Sequence, residues 1–162
     1  MPSLNTHQLV ADLASGNEQR KAAAIHVIVA LTPATDVDEG IFIEALKSAN
    51  PDVTHWAAVA LKLLGPRGLA AIPALVALLG REQLFLRQAA VRALAAVGPH
   101  DRLARAAVFD LFGDESPFIR REALTASLTL PDLDEEDLAA IAAMATDPDE
   151  AVAAMGLRSI RS

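Results

Sequence analysis

The side chains able to do covalent or metal chemistry are few and poorly placed for it. The chain of 162 residues has no Cys and no Tyr, and His7, His26, His55 and His100 are its only imidazoles. Without a thiol there is no Cys nucleophile, zinc ribbon, iron–sulfur ligand set or disulfide framework. His26 and His55 fall about one turn out of register on neighbouring units of the repeat described below, and a metal ion would need a third ligand that the sequence does not supply. No Gly-x-Ser-x-Gly elbow, phosphate-cradling glycine loop or dinucleotide fingerprint is present. Asp52 and Glu122 lie two units apart, too far for an acid–base pair. The acidic run from Asp132 to Asp137 lacks the glycine and distal Glu of a calcium loop, and reads as charge at a helix start. The expectation is a protein with no catalytic residue, metal or cofactor.

Contact chemistry is better represented. Lys62, Arg92, Arg121, Arg158 and Arg161 supply cations and Trp56, Phe85 and Phe118 supply rings, in a chain of net charge -7 with one Trp and five Phe. Guanidinium groups and aromatic rings dominate the energetics of protein interfaces. Their value depends on whether the fold brings them to one face.

Placement is set by a period of 33 residues. Ala24, Ala57, Ala90, Ala123 and Gly156 form a series of small residues. Leu9, Phe42, Leu75, Val108 and Ile141 form an apolar one, joined four positions on by Leu13, Leu46, Leu79, Phe112 and Ala145. Leu31, Leu64, Val97 and Leu130 are always aliphatic. No insertion interrupts them, which predicts a single domain of five units, residues 1–33, 34–66, 67–99, 100–132 and 133–162.

Within a unit the spacing is helical. Leu75, Leu78 and Leu79 share one face, as do Leu86, Ala90, Ala93, Leu94 and Val97 in the next segment. Each unit is therefore two helices, the first ones expected near 6–14, 39–48, 69–79, 103–112 and 135–145. The second ones are expected near 18–31, 51–64, 84–97, 117–130 and 149–160. Asn17, Asn50, Ser116 and Asp149 precede second helices as capping side chains, and Gln83 is the weak member of that set. Gly65 and Gly98 are expected to end two of them in a left-handed turn. Pro73 predicts a kink or a start near residue 71.

The second-helix pattern Leu86-Arg87-x-x-Ala90-x-x-Ala93-Leu94-x-x-Val97-Gly98 returns as Ile119-Arg120-x-x-Ala123-x-x-Ala126 and as Val53-Thr54-x-x-Ala57-x-x-Ala60-Leu61-x-x-Leu64-Gly65. Over the whole chain this resembles the HEAT repeat and its short bacterial variants. The resemblance implies an all-α fold, a right-handed α-α superhelix (α-solenoid) of five helical-hairpin repeats, with second helices lining a concave inner wall. It also implies that Arg87 and Arg120 bond to a neighbouring loop, and that the protein is a binding scaffold. The His-Glu pairs of the HEAT-repeat deoxyhypusine hydroxylases are missing.

On that wall the second-helix residues not used in packing are Gln19, Ala22 and His26; Asp52, His55, Val59 and Lys62; Phe85, Gln88 and Arg92; Phe118, Arg121 and Thr125; and Arg158 with Arg161. Trp56 flanks His55. The candidate partner-binding set is His55, Trp56, Phe85, Gln88, Arg92, Phe118, Arg121, Thr125 and Arg158. For Phe85 and Phe118 the favoured use is stapling of a helix start to the preceding unit, and Trp56 equally suits core filling. Arg92, Arg121 and Arg158 show no packing duty in the sequence.

Most acids fall in inter-helix loops, so an acidic rim around a more basic groove would steer an acidic partner inward. The expected function is a non-enzymatic protein–protein interaction scaffold, monomeric, cytoplasmic and bacterial. It would hold a protein with an acidic surface patch, as an adaptor, a regulator or a toxin-immunity protein does. Nucleic acid is the alternative, disfavoured by the net charge of -7. A bilin-lyase-like or glycosylase-like enzyme comes after it, with no residue marking a pigment site. The longest uncharged stretches, residues 22–35 and 68–80, are too short for a membrane span, and the first residues carry no secretory signal.

Overall fold

A computed structural model describes residues 4–159. Ten α-helices follow one another, with no strand among the described residues. They are α1 (Thr6–Leu13), α2 (Glu18–Val29), α3 (Glu39–Ala45), α4 (Pro51–Leu64), α5 (Ile72–Leu78), α6 (Leu84–Val97), α7 (Arg102–Asp110), α8 (Pro117–Ser127), α9 (Glu135–Ala143) and α10 (Glu150–Ser159). Each odd-numbered helix packs on the even-numbered one after it, and the even-numbered helices pack on one another in an unbroken series from α2 to α10. This is an all-α solenoid of stacked helical hairpins.

Local signals set most helix ends. Asn17, Asn50 and Asp149 accept backbone N–H groups of the first turns of α2, α4 and α10 through their side chains. Gln83 makes no such bond. Ser116 makes none either, against expectation. Its own N–H donates to Asp114 Oδ1 at 2.9 Å, so the aspartate two residues earlier organises that turn. Gly65 takes φ 60°, the left-handed turn expected.

Gly98 departs from the expectation, with φ -123°. The glycine is needed there for space, because a Cβ would lie 2.8 Å from Ile72 Cδ1 and 2.9 Å from Ala104 Cβ. Pro73 falls in the first turn of α5, after a 3-10 segment Gly65–Ala71. No interior kink results, since a first-turn N–H has no helical partner to lose.

The repeating registers form the core. Ala57, Ala90 and Ala123 are fully buried and Ala24 nearly so. At the fifth position of this series, Gly156 brings α10 against the backbone of the turn Met144–Thr146, where a Cβ would lie 2.5 Å from Met144 C. One large cluster runs from Leu9 to Leu130, and a small separate one of Leu124, Ile141, Met144 and Val152 underlies α9 and α10.

Arginines tie the loops between hairpins. Arg87 pairs with Asp114. Arg120 donates to both carboxylate oxygens of Asp147 at 2.8 Å and to the carbonyls of Asp114 at 2.8 Å and Glu115 at 3.2 Å. Both thus act as the resemblance implies. Two further clamps carry no repeat signature. Arg67 donates to the carbonyls of Pro33, Thr35 and Val37. Arg105 donates to those of Pro99 and Pro131 and pairs with Asp137. Each satisfies loop carbonyls that no helix can reach.

By composition alone the stretch Pro51–Leu78, of mean hydropathy 1.5, would pass for a membrane span. Its α-helix ends at Leu64 after 14 residues, short of the roughly 20 that a bilayer needs.

Candidate functional site

Five of the nine candidate residues surround one hollow. It lies between α4 and α6, has a volume of about 270 Å³, and is lined by His55, Trp56, Phe85, Gln88 and Arg92 together with Val59, Lys62, Leu63 and Ala89. The His55 ring meets Trp56 edge-on, with centroids 5.2 Å apart and planes at 84°, and meets Phe85 at 5.6 Å and 57°. Phe85 therefore packs back onto the preceding hairpin, as a staple would. Trp56 is half-buried against the core and also forms part of the hollow's wall.

Phe118 stands one period after Phe85 and is exposed to a similar degree, 52% against 42%, but has a different partner. The residue one period after His55 is Gln88, which offers no ring. The Arg121 guanidinium lies 5.7 Å from the centre of the Phe118 ring instead, beside a hollow of about 220 Å³ shared with Pro117, Asp149 and Ala151.

Arg92 has a packing duty that the sequence did not reveal. Its Nε and Nη2 donate to Glu122 Oε1 and Oε2 at 2.6 and 2.7 Å, a bidentate rung from α6 to α8. The pair holds the Arg92 pKa above its ordinary value. Lys21 and Asp52 form another rung, between α2 and α4, with Lys21 at the repeat position of Arg87 and Arg120. The missed signal was opposite charge at separations of 30 and 31 residues, just under one period. Lys62 and Arg92 also border a second hollow of about 260 Å³ between α6 and α8, with Thr125, Thr129 and Glu122. Thr125 Oγ1 donates to the Arg121 carbonyl at 2.9 Å.

Arg158 lies apart from these hollows and donates to the Ala154 carbonyl of its own helix at 3.2 Å. Arg161 lies outside the described residues. Among the described residues Lys62 and Arg121 have no carboxylate partner, whereas Asp52 and Glu122 are both neutralised by cations.

His55 Nδ1 is buried and has no hydrogen-bond partner among the described residues. Burial pushes its pKa below the ordinary 6.5, the Asp52 carboxylate opposes that shift, and Arg92 adds to it. At neutral pH the site therefore presents an uncharged imidazole between two rings.

A larger hollow, of about 770 Å³, opens between α1 and α3, lined by His7, Val10, Ala14, Ile41, Ile43 and Glu44 among others. The sequence did not single it out, since apolar residues on first helices look like ordinary packing positions. The buried polar atoms without a partner among the described residues, His55 Nδ1 and Arg87 Nε, both lie outside its walls, so size alone does not make it the better candidate. Among the described residues no cluster of three His, Asp or Glu side chains could hold a metal ion.

The sequence profile of the HEAT repeats matches residues 40–129, more than half of the chain. The chain belongs to the HEAT-repeat family. No curated protein matches its sequence. Among solved structures, this HEAT-repeat chain is similar to one from the complex of CpcE and CpcF of phycocyanin lyase from Nostoc sp. PCC7120. That match has 20% identity, covers 96% of this chain and 97% of that one, and has a TM-score of 0.76. A designed armadillo repeat protein in complex with the peptide (KR)4 is similar at 17% identity, over 94% and 79% of the two chains, with a TM-score of 0.64. The archaeal HEAT-like repeats protein of Thermococcus onnurineus NA1 shares 17% identity over 94% and 67%, with a TM-score of 0.55. At such identities the likeness is one of fold.

Proposed function

We propose that this HEAT-repeat protein is a cytoplasmic, monomeric scaffold that binds an acidic surface of another protein on the face built by α4, α6 and α8. The observation that carries this reading is the hollow walled by Trp56, Phe85, His55 and Lys62, with Arg121 further along the face on α8; neither cation has a carboxylate partner among the described residues. Even-numbered helices pack on one another more extensively than odd-numbered ones do. A two-layer stack curves toward its more closely spaced layer, which supports placing this face on the inner wall. The designed armadillo protein bound to (KR)4 is a precedent for a charged peptide held by a stacked-helix protein, with the sign of charge reversed here.

The test is capture of partners from source-cell lysate by the tagged protein and by a Lys62→Glu/Arg121→Glu variant. Both side chains are exposed, so the variant should melt like the parent and lose the captured protein. Equal capture by both would remove this face from the reading.

A second reading is favoured by the match to the CpcE–CpcF complex over nearly the full length of both chains. On it, this chain assembles with a second solenoid and acts as part of a lyase on a pigment-bearing protein. Incubation with a bilin and a phycocyanin chain, alone and with source-cell extract, distinguishes the two. Covalent pigment on the phycocyanin chain would support the lyase reading, and its absence in both incubations would count against it.

A further inference from the structure

We infer that the hollow between α4 and α6 seats one aromatic side chain of the partner, presented by an extended acidic peptide segment with a carboxylate that reaches Lys62. The inference rests on the protein-binding reading above and names the chemistry of the segment that occupies the site.

The walls select a flat apolar group. Trp56 and Phe85 stand on either side of His55, at 5.2 and 5.6 Å from its ring, and Val59 and Leu63 extend the apolar surface. Edge-on and tilted ring contacts of this kind favour a further ring over an aliphatic chain. His55 already contributes an imidazole whose Nδ1 has no partner among the described residues.

The surroundings select negative charge beside that ring. The side chains of Lys62 and Gln88 line the hollow and make no hydrogen bond with any described residue. The acids of the adjoining helices are committed, Asp52 to Lys21 and Glu122 to Arg92. Arg121, further along the face, lies over the Phe118 ring in a separate hollow with Asp149. A basic segment would meet like charge at Lys62, and a neutral one would leave Lys62 without a counter-charge. An acidic segment pairs with it. A nucleotide base stacked in the hollow, with its phosphate on Lys62, is the competing occupant. It is disfavoured because two unpaired cations offer little phosphate neutralisation in a chain of net charge -7.

The molecule carries its own reporter. Trp56 is the single Trp and there is no Tyr, so intrinsic emission comes from the wall of this hollow. The full chain is titrated with the peptide Ac-Glu-Glu-Phe-Glu-Glu-NH2. Parallel titrations use its Phe-to-Ala counterpart, its Glu-to-Lys counterpart and a thymidine oligonucleotide. A saturable change in Trp56 emission is expected with the first peptide, about tenfold weaker binding with the Ala peptide, and little response to the other two. Lys62→Glu should weaken the first peptide by a similar factor while leaving thermal unfolding unchanged.

No saturable change, equal binding of the Ala peptide, or stronger binding of the Lys peptide or the oligonucleotide would each overturn the inference. If the lysate experiment yields a partner that the Lys62→Glu/Arg121→Glu variant loses, but Trp56 stays silent to the acidic peptide, the binding face stands and the aromatic seat falls. If the peptide saturates Trp56 but no protein is captured, the seat stands and the protein-scaffold reading falls.

Discussion

Two glycines carry much of the local fit, for reasons that a helix-end rule misses. A Cβ on Gly98 would press on Ile72 and Ala104, and one on Gly156 would meet the backbone of Met144 and Ala145. Side chains can yield slightly and backbone cannot, so Gly156→Ala should cost about 2–3 kcal/mol of unfolding free energy and Gly98→Ala about 1–2 kcal/mol, read by urea titration. Gly98 sits just after a helix and looked like a left-handed cap, because nothing in one unit tells a conformational glycine from a spatial one. His55 yields a pH prediction. Its folded pKa lies below its ordinary 6.5, so as pH falls below that value the unfolded chain takes up the proton first and stability declines toward the folded pKa. Asp52 on α4 and Arg92 on α6 are the charges acting on it. Thermal unfolding followed between about pH 7 and about pH 5 should show this decline, and His55→Gln should reduce it.

The rungs between elements differ in depth. Arg120 and Asp147 have side chains only 11% and 4% exposed, whereas Arg92 is 52% exposed and Glu122 13%. Asp147→Ala leaves the Arg120 guanidinium in a nearly closed loop and should cost about 2–4 kcal/mol. A double-mutant cycle on Arg92 and Glu122 should return about 1 kcal/mol or less, and high salt should shrink it further. The Asp147 pKa is held below its ordinary value chiefly by Arg120, so the deeper rung is kept at neutral pH and lost as acid protonates it. Helix existence, order and approximate ends were legible, because apolar spacing and Asn or Asp caps act within a few residues. Arg87 and Arg120 were legible through their place in the repeat. Arg67, Arg105 and the Arg92–Glu122 rung were not, since each partner sits at a distance that no single element reveals. One period before Asp114 the chain has Arg81. One period before Arg87 stands Thr54, whose hydroxyl donates to the Ser48 and Asn50 carbonyls. The arginine and its acid, 27 residues apart in the later units, are thus both replaced.

The whole molecule is unevenly secured. Helices α4 and α6 sit mid-stack with their inner residues fully buried, while α9 and α10 rest on a core of four residues distinct from the main one. Native-state hydrogen exchange should therefore find amides of α9 and α10 about tenfold or more less protected than those of α4 and α6. Equal protection throughout would mean one cooperative block. The stacked architecture was readable from the sequence because the same contact is written at every period. The binding face was only partly readable, because a surface becomes a site through which charges stay unpaired, and pairing is decided between helices. The gapless period has an evolutionary corollary. Excising residues 91–123 would splice Ala90 to Leu124, remove Arg92 and Glu122 in one stroke, and bring Asp147 to the place Asp114 held opposite Arg87. Loss of this module would keep the Arg87 clamp supplied with an acid and would cost the chain Arg105, leaving Asp137 without its cation.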